Sequence, residues 1–402
     1  MFLPNPSSDY GRPLEPTDAE LLGAGGADDV ERFLRFREGA PTPLYELPAL
    51  AAELGVGILS VKDEGQRLGL GSFKSLGGAY AVARLVLEAA SRTLGAPMEA
   101  SDLRRPDVRK VAGAMTFACA TDGNHGRSVA QGAHLVGARA VIFVHSGVSE
   151  ERVAAIARFG AEMIRVAGNY DDSVAEATRV AEARRWTIVS DTSWPGYERI
   201  PGLVMQGYVA IAREALREMD LPPTHVFVQA GVGGIAAAMA AHFALALGDK
   251  RPVFVVVEPA RAACLFQSAE AGRLVKIEPG EPTVMAMLEC YEPSRVAWRI
   301  LARGADAFMT VEEADSVSVM KRLAHSLPGD PAIVAGESGG VGLAGLLAAL
   351  GDPAARRALR LDRSSRVFVI NTEGATDPAK YEELVGLSPE AVLAGASGRV
   401  RS

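Results

Sequence analysis

Residues 224–248 read THVFVQAGVGGIAAAMAAHFALALG. A β-branched and aromatic run ends at Gln229-Ala230, a glycine-rich stretch follows, and an alanine-rich segment comes after it. That is a strand, a glycine loop and a helix. The strand is apolar throughout rather than alternating, which marks burial on both faces, as in parallel sheets covered by helices. Glycines at 231, 233 and 234 allow main-chain N–H groups to approach an anion, and the start of a helix favours its charge. The same glycines would also suit a turn built only for close packing. No Lys-Ser/Thr pair follows, so this is not a nucleotide P-loop.

The pattern repeats along the chain. VAGAMTFACA (111–120), RAVIFV (139–144), AEMIRVA (161–167), WTIVSD (186–191), PVFVVVEP (252–259) and SRVFVI (365–370) read as further buried strands separated by helical stretches. The expected class is α/β with open parallel sheets. At 402 residues and 48% hydrophobic, the chain is long enough for two domains. The charged, proline-containing stretch 91–109 reads as a surface connection, and the Ala/Gly-rich tail after 388 as frayed.

The net charge of −7 has both signs interspersed, so no basic face invites nucleic acid or an anionic membrane. The opening MFLPNPSSDYGRP lacks a basic segment followed by an apolar one, and the longest apolar runs are too short to span a bilayer. A cytoplasmic globular protein is expected. Cys119, Cys264 and Cys290 do not make a disulfide scaffold; Cys264 with Cys290 is the one pairing worth considering.

Two further segments carry chemistry. In GSFKSLGGAY (71–80), Lys74 follows an aromatic residue in a Gly/Ser-rich turn that leads into a helix. Most lysines in such turns are solvated, but partial burial here would lower the amine pKa and suit attack on a carbonyl. In TDGNHGR (121–127), again between strand and helix, Thr121, Asn124 and main-chain amides can hold a carboxylate. Asp122 among such donors is chemically odd unless it handles a proton. His125 has no second histidine at ligand spacing, so metal binding is rejected. A literal GxGxxG at 340–345 (GVGLAG) follows a poor strand, and its next acidic residue, Asp352, comes too soon for a dinucleotide fingerprint. It reads as helix packing.

The order Ser-Phe-Lys, Asp-Gly-Asn-His, Gly-Val-Gly-Gly resembles the fold type II (tryptophan-synthase-β-like) pyridoxal-phosphate enzymes, the group of the threonine and serine dehydratases. Within that group the resemblance narrows to the diaminopropionate ammonia-lyases. It is carried by GSFKSLGGAYA, TDGNHGRSVA, GNYDDSV (168–174), SDTSWPGYERIPGLVMQGY (190–208), QAGVGGIA, VVVEP, ESGGVGLAG (337–345) and INTEGATD (370–377), in that order.

The resemblance implies two open parallel-sheet domains with the site in the cleft. The large one would comprise 1–80 plus 192–402, with a small inserted one at 81–191, in a homodimer. It implies pyridoxal 5'-phosphate linked to Lys74, with Asn124 on its phenolic oxygen. Gly231, Val232, Gly233, Gly234 and Ile235 would hold the phosphate, and the Thr372 hydroxyl would meet the pyridine nitrogen. A neutral hydroxyl there weakens the electron sink, which suits elimination better than transamination. Asp122, which the related dehydratases lack, would take a proton on the face opposite Lys74 and so admit D as well as L substrates. Asp191 would bind the departing β-ammonium, with Thr121 and Tyr170 as further substrate contacts. From the residues alone, Asp191 is equally well an N-cap. Met287 and Tyr291 stand where these enzymes more often have glycine, which bears on the choice of substrate. The implied reaction is loss of ammonia from 2,3-diaminopropionate to give pyruvate, the alternative being dehydration of serine or threonine.

Overall fold

The computed structural model of the chain describes residues 1–121 and 123–399. The described strands, numbered along the chain, are β1 (Phe2–Pro4), β2 (Leu44–Glu46), β3 (Ile58–Asp63), β4 (Thr116–Ala120), β5 (Arg139–His145) and β6 (Glu162–Val166). They continue with β7 (Thr187–Ile188), β8 (His225–Gln229), β9 (Val253–Pro259), β10 (Ala307–Val311) and β11 (Arg366–Asn371). Contacts divide the chain into two compact units. One comprises Met1–Ala24, Pro41–Phe73 and the chain from Ile211 on; the other comprises Gly25–Ala40 and Lys74–Ala210.

The first unit holds a seven-stranded sheet ordered β1-β10-β9-β8-β11-β3-β2. Its five inner strands run parallel, and the three-residue edge strands β1 and β2 run antiparallel. Fully buried Phe227, Val255, Val257, Val341 and Leu346 lie in the core around the sheet. The second unit holds a four-stranded, all-parallel sheet ordered β6-β5-β4-β7. The fold is α/β with open, mainly parallel sheets, as the sequence implied. In each sheet the loops of interest follow strand ends: 230–234 after β8, Thr372 after β11, Thr121 after β4 and Asp191 just beyond β7.

Strands β1, β2, β3 and β10 did not stand out in the sequence. Edge strands of three residues are too short to show a period. In β3, ILSVKD, the charged Lys62 disguises a buried strand. Lys62 is fully buried because its ammonium donates to Thr42 O (2.6 Å) and Glu218 (2.8 Å) and pairs with Glu214 (3.1 Å). Next to it, buried Arg67 binds Glu64 and Glu214, each with two hydrogen bonds. Burial works against the Arg67 charge, but the two carboxylates more than offset it and the group stays protonated. Removing one partner from such a cluster strands a buried charge and costs about 3–5 kcal/mol. The cluster anchors the turn 64–69, which leads directly to the segment before Lys74.

Two expectations are corrected. Residues 91–109 are not a plain surface connection: the helix Lys74–Leu94 runs on, then a short 3-10 turn and the helix Pro106–Gly113 bury Leu103 and Val108 completely. Its many charges lie on the outer face, which concealed the apolar inner one. The tail after 388 forms a helix, Pro389–Arg399, whose Val392 packs with Tyr381 and Val385.

Candidate active site

Lys74 opens the helix Lys74–Leu94, and the segment before it is stitched to the end of β11. Phe73 N donates to Thr372 O (3.0 Å), Gly374 N donates to Gly71 O (3.0 Å), and Ser72 pairs with Glu373 as an antiparallel bridge. The start of that helix is fixed against the helix Asn124–Val136. A Cβ on Gly132 would fall 2.6 Å from Ala79 Cα, and Ala79 N donates to Ser128 Oγ (2.9 Å). Only glycine permits this approach, which packs the Lys74 helix closely against the Asn124 helix.

Within this unit the Lys74 ammonium donates to Asp191 Oδ2 at 2.8 Å, with the two side chains only 23% and 15% exposed. Burial pushes the Asp191 carboxyl up, but the Lys74 charge and the Lys74 hydrogen bond outweigh it. The carboxyl is left well below the usual carboxylate range. His125 Nδ1 lies 4.0 Å from the same oxygen. Its Nε2 meets Val189 O at 2.9 Å, and since a carbonyl only accepts, Nε2 carries the proton. Burial lowers the His125 pKa against the pull of Asp191, so the ring is neutral at pH 7.

Thr121 Oγ1 accepts from Gly123 N and Gly126 N, both at 3.1 Å, and so shapes the turn into the helix that Asn124 begins. Asn124 is 8% exposed. Asp122 lies outside the described residues. Tyr170 opens the helix Tyr170–Arg184 on the surface, 38% exposed.

In the other unit, the loop after β8 leads into the helix Gly234–Leu247, which has no side-chain cap. Its first N–H groups therefore have no acceptor within the helix, as an anion site requires. Gly231 is hemmed in: a Cβ there would lie 2.8 Å from Cys290 Sγ and 3.4 Å from Leu288 Cα. Gly233 adopts φ +98°, which favours glycine, and a Cβ there would meet Ala297 Cβ at 3.0 Å. Val232 O accepts from Ser294 N, and Ile235 sits in the first helical turn.

Gln229, fully buried at the end of β8, donates to Thr372 Oγ1 (2.9 Å) and accepts from Gly342 N (3.2 Å). The Thr372 hydroxyl in turn donates to Ser338 O (3.4 Å). Met287 N donates to Ser338 Oγ (3.1 Å), and Tyr291 donates to Glu289 (2.7 Å). The GxGxxG at 340–345 is packing, as its sequence suggests. A Cβ on Gly342 would strike Phe227 O at 2.5 Å, and one on Gly345 would strike Val257 at 2.5 Å. Among the described residues Cys119, Cys264 and Cys290 form no disulfide, so Cys264 and Cys290 are not paired.

These features fit pyridoxal phosphate: a lysine amine in a largely buried polar setting, a glycine-lined helix start for a phosphate, and a buried threonine hydroxyl just past a strand end. Residues 36–373 match the profile of the pyridoxal-phosphate dependent enzymes, and the chain belongs to that family. Within it, the chain is 40% identical to the diaminopropionate ammonia-lyase of Escherichia coli over 360 residues, 88% of this chain and 89% of that one. The corresponding enzyme of Salmonella typhimurium is 38% identical over 359 residues, 86% and 88% of the two chains. Crystal structures of the Escherichia coli enzyme, holo and in complex with D-serine, superpose with a TM-score of 0.85 at 36% and 35% identity, covering 98% of both chains. Its cofactor is pyridoxal phosphate, as for the family.

Gln229 and His125 are the residues that sequence reasoning passed over as contributors. Gln229 stands in the quoted segment QAGVGGIA, but a polar residue closing an apolar strand was the only signal it gave.

Proposed function

We propose that this chain eliminates ammonia from 2,3-diaminopropionate, giving pyruvate, with both nitrogens released as ammonia. The observation that carries the reading is the Lys74–Asp191 pair: a largely buried carboxylate, held ionised, already receiving a primary ammonium at 2.8 Å. When Lys74 is engaged with the cofactor, that place is open to the β-ammonium of the substrate. A neutral leaving group would leave the carboxylate unpaired, which disfavours serine and threonine.

Pyridoxal phosphate, when bound, supplies the electron sink that makes the substrate's Cα proton removable. The amides of Gly231, Val232, Gly233, Gly234 and Ile235 would hold its phosphate, Asn124 would meet its phenolic oxygen, and Thr372 would face its ring nitrogen. Lys74 takes the Cα proton from one face. Asp191 keeps the β-nitrogen protonated, so that it departs as neutral ammonia only once the C–N bond breaks. Thr121 and Tyr170 are assigned to the substrate's polar groups. Asp122 is assigned to the Cα proton of the D-enantiomer, and the D-serine held by the Escherichia coli relative supports acceptance of that hand. The protein is further proposed to be a cytoplasmic homodimer.

The experiment is 2-oxo-acid release from L- and D-2,3-diaminopropionate, serine and threonine by the purified holoenzyme. Diaminopropionate should give the highest kcat/KM. Preference for serine or threonine would make the chain a hydroxy-amino-acid dehydratase, with Met287 and Tyr291 as the first residues to examine.

A further inference from the structure

The main chain leading into Asp191 is held by two side chains that no step above uses. Tyr197 Oη donates to Ile188 O (2.8 Å) and accepts from Ser190 N (3.1 Å). His125 Nε2 donates to Val189 O (2.9 Å), and Val189 N donates to Ala118 O of β4 (2.8 Å). Four main-chain groups immediately before Asp191 are thus each held by a partner. Just past β7, where the strand pairing stops, a loop would otherwise take many conformations.

Tyr197 is itself fixed. Trp194 and Tyr197 close a turn through hydrogen bonds in both directions, N to O at 3.3 and 2.9 Å. Gly196 in that turn sits at φ +82°, and the two rings stack at 4.1 Å and 14°. The turn SWPGY therefore returns the tyrosine hydroxyl to the strand end from which the chain departed. His125 reaches the same strand end from the first turn of the helix that Asn124 opens.

From this geometry we infer that Tyr197 and His125 are positioning residues that fix the Asp191 carboxylate and thereby set the preference for a cationic leaving group. The inference rests on the reading of Asp191 as the ammonium's partner. Neither residue needs to touch substrate. Each acts through the peptide groups of 188–190, so its loss lets Asp191 drift from the position in which it meets an ammonium.

The test uses Tyr197→Phe, which keeps the stacked ring and removes only the hydroxyl, together with His125→Leu and His125→Gln. A glutamine amide can still donate to Val189 O, so it should rescue what leucine loses. In the holoenzyme, Tyr197→Phe and His125→Leu should lower kcat/KM for diaminopropionate about tenfold, the effect of one lost buried hydrogen bond, and change that for serine less than about twofold. His125→Gln should recover most of the loss. In the cofactor-free protein, carboxyl NMR titration, with Asp191 assigned by the signal missing in Asp191→Asn, should show a higher Asp191 pKa in Tyr197→Phe than in the parent.

An unchanged diaminopropionate-to-serine ratio in both variants, or an unchanged Asp191 titration, overturns the inference. A parent that prefers serine overturns the proposed function instead, and the titration still decides whether Tyr197 positions Asp191. Should Tyr197→Phe fail to fold, the leucine and glutamine variants at 125 decide the matter.

Discussion

The Lys74 ammonium and the Asp191 carboxylate meet at 2.8 Å although 117 residues separate them in the chain. One begins a helix and the other follows the last strand of the four-stranded sheet, so the fold brings together two groups with no shared local pattern. A charge pair this sheltered is worth keeping only if the geometry is good and the partners have a task, because desolvating both ions is expensive.

If Lys74 carries the cofactor, the purified protein should be yellow, and borohydride reduction followed by peptide mapping should place a pyridoxyl group on Lys74. An adduct on another lysine, or none, contradicts the assignment of this residue.

The glycine loop should tolerate no side chain. Gly231→Ala puts a methyl group 2.8 Å from Cys290 Sγ. Gly233→Asp adds a negative charge at the phosphate site and forces a left-handed backbone at a cost of about 1–2 kcal/mol. Equilibrium dialysis should show pyridoxal-phosphate affinity lowered by about tenfold or more in each case. Unaltered affinity in both variants would reduce the loop to packing.

For Asp122, replacement by Asn should impair D-diaminopropionate far more than the L-enantiomer, by about 10²–10⁴-fold, the usual effect of losing one proton-transfer group. Equal losses on both enantiomers would move Asp122 away from the face opposite Lys74.

Glu258 gives a pH signature. Fully buried, it accepts from Leu265 N (2.8 Å) and Phe266 N (2.6 Å) at the start of the helix Cys264–Ala271. Burial raises its pKa from 4.5 to about 8 despite those bonds. The folded state therefore holds this proton more tightly than the unfolded chain. Its contribution to stability is fully present below about pH 4.5, shrinks as pH rises toward 8, and changes no further above that. Melting temperature measured from pH 5 to 9 should fall more steeply in the parent than in Glu258→Gln; parallel curves would show that Glu258 is ionised throughout.

Much of this was legible in the sequence because it is local. The strand–glycine–helix at 224–248 declares a parallel sheet by pattern alone and leaves room for a phosphate or for close packing, and Lys74 and Asn124 sit in turns of the same kind. What was not legible depends on long-range pairing. The buried Lys62 in β3 reads as a surface charge until Glu214 and Glu218 arrive from more than 150 positions away. The segment 91–109 conceals Leu103 and Val108 among charges that face outward. Asp191 read equally well as a helix cap; only folding brings Lys74 to it, and no feature of SDTSW announces that partner.

The most direct test of the account is the ratio of kcat/KM for 2,3-diaminopropionate to that for serine, measured in the parent and in Asp191→Asn. If the carboxylate holds the departing ammonium, the parent should favour diaminopropionate. Asp191→Asn should lose roughly 2–5 kcal/mol of that discrimination, about 30-fold or more, while activity on serine holds or rises relative to it. A ratio unchanged by the substitution would leave Asp191 a structural cap and contradict the account.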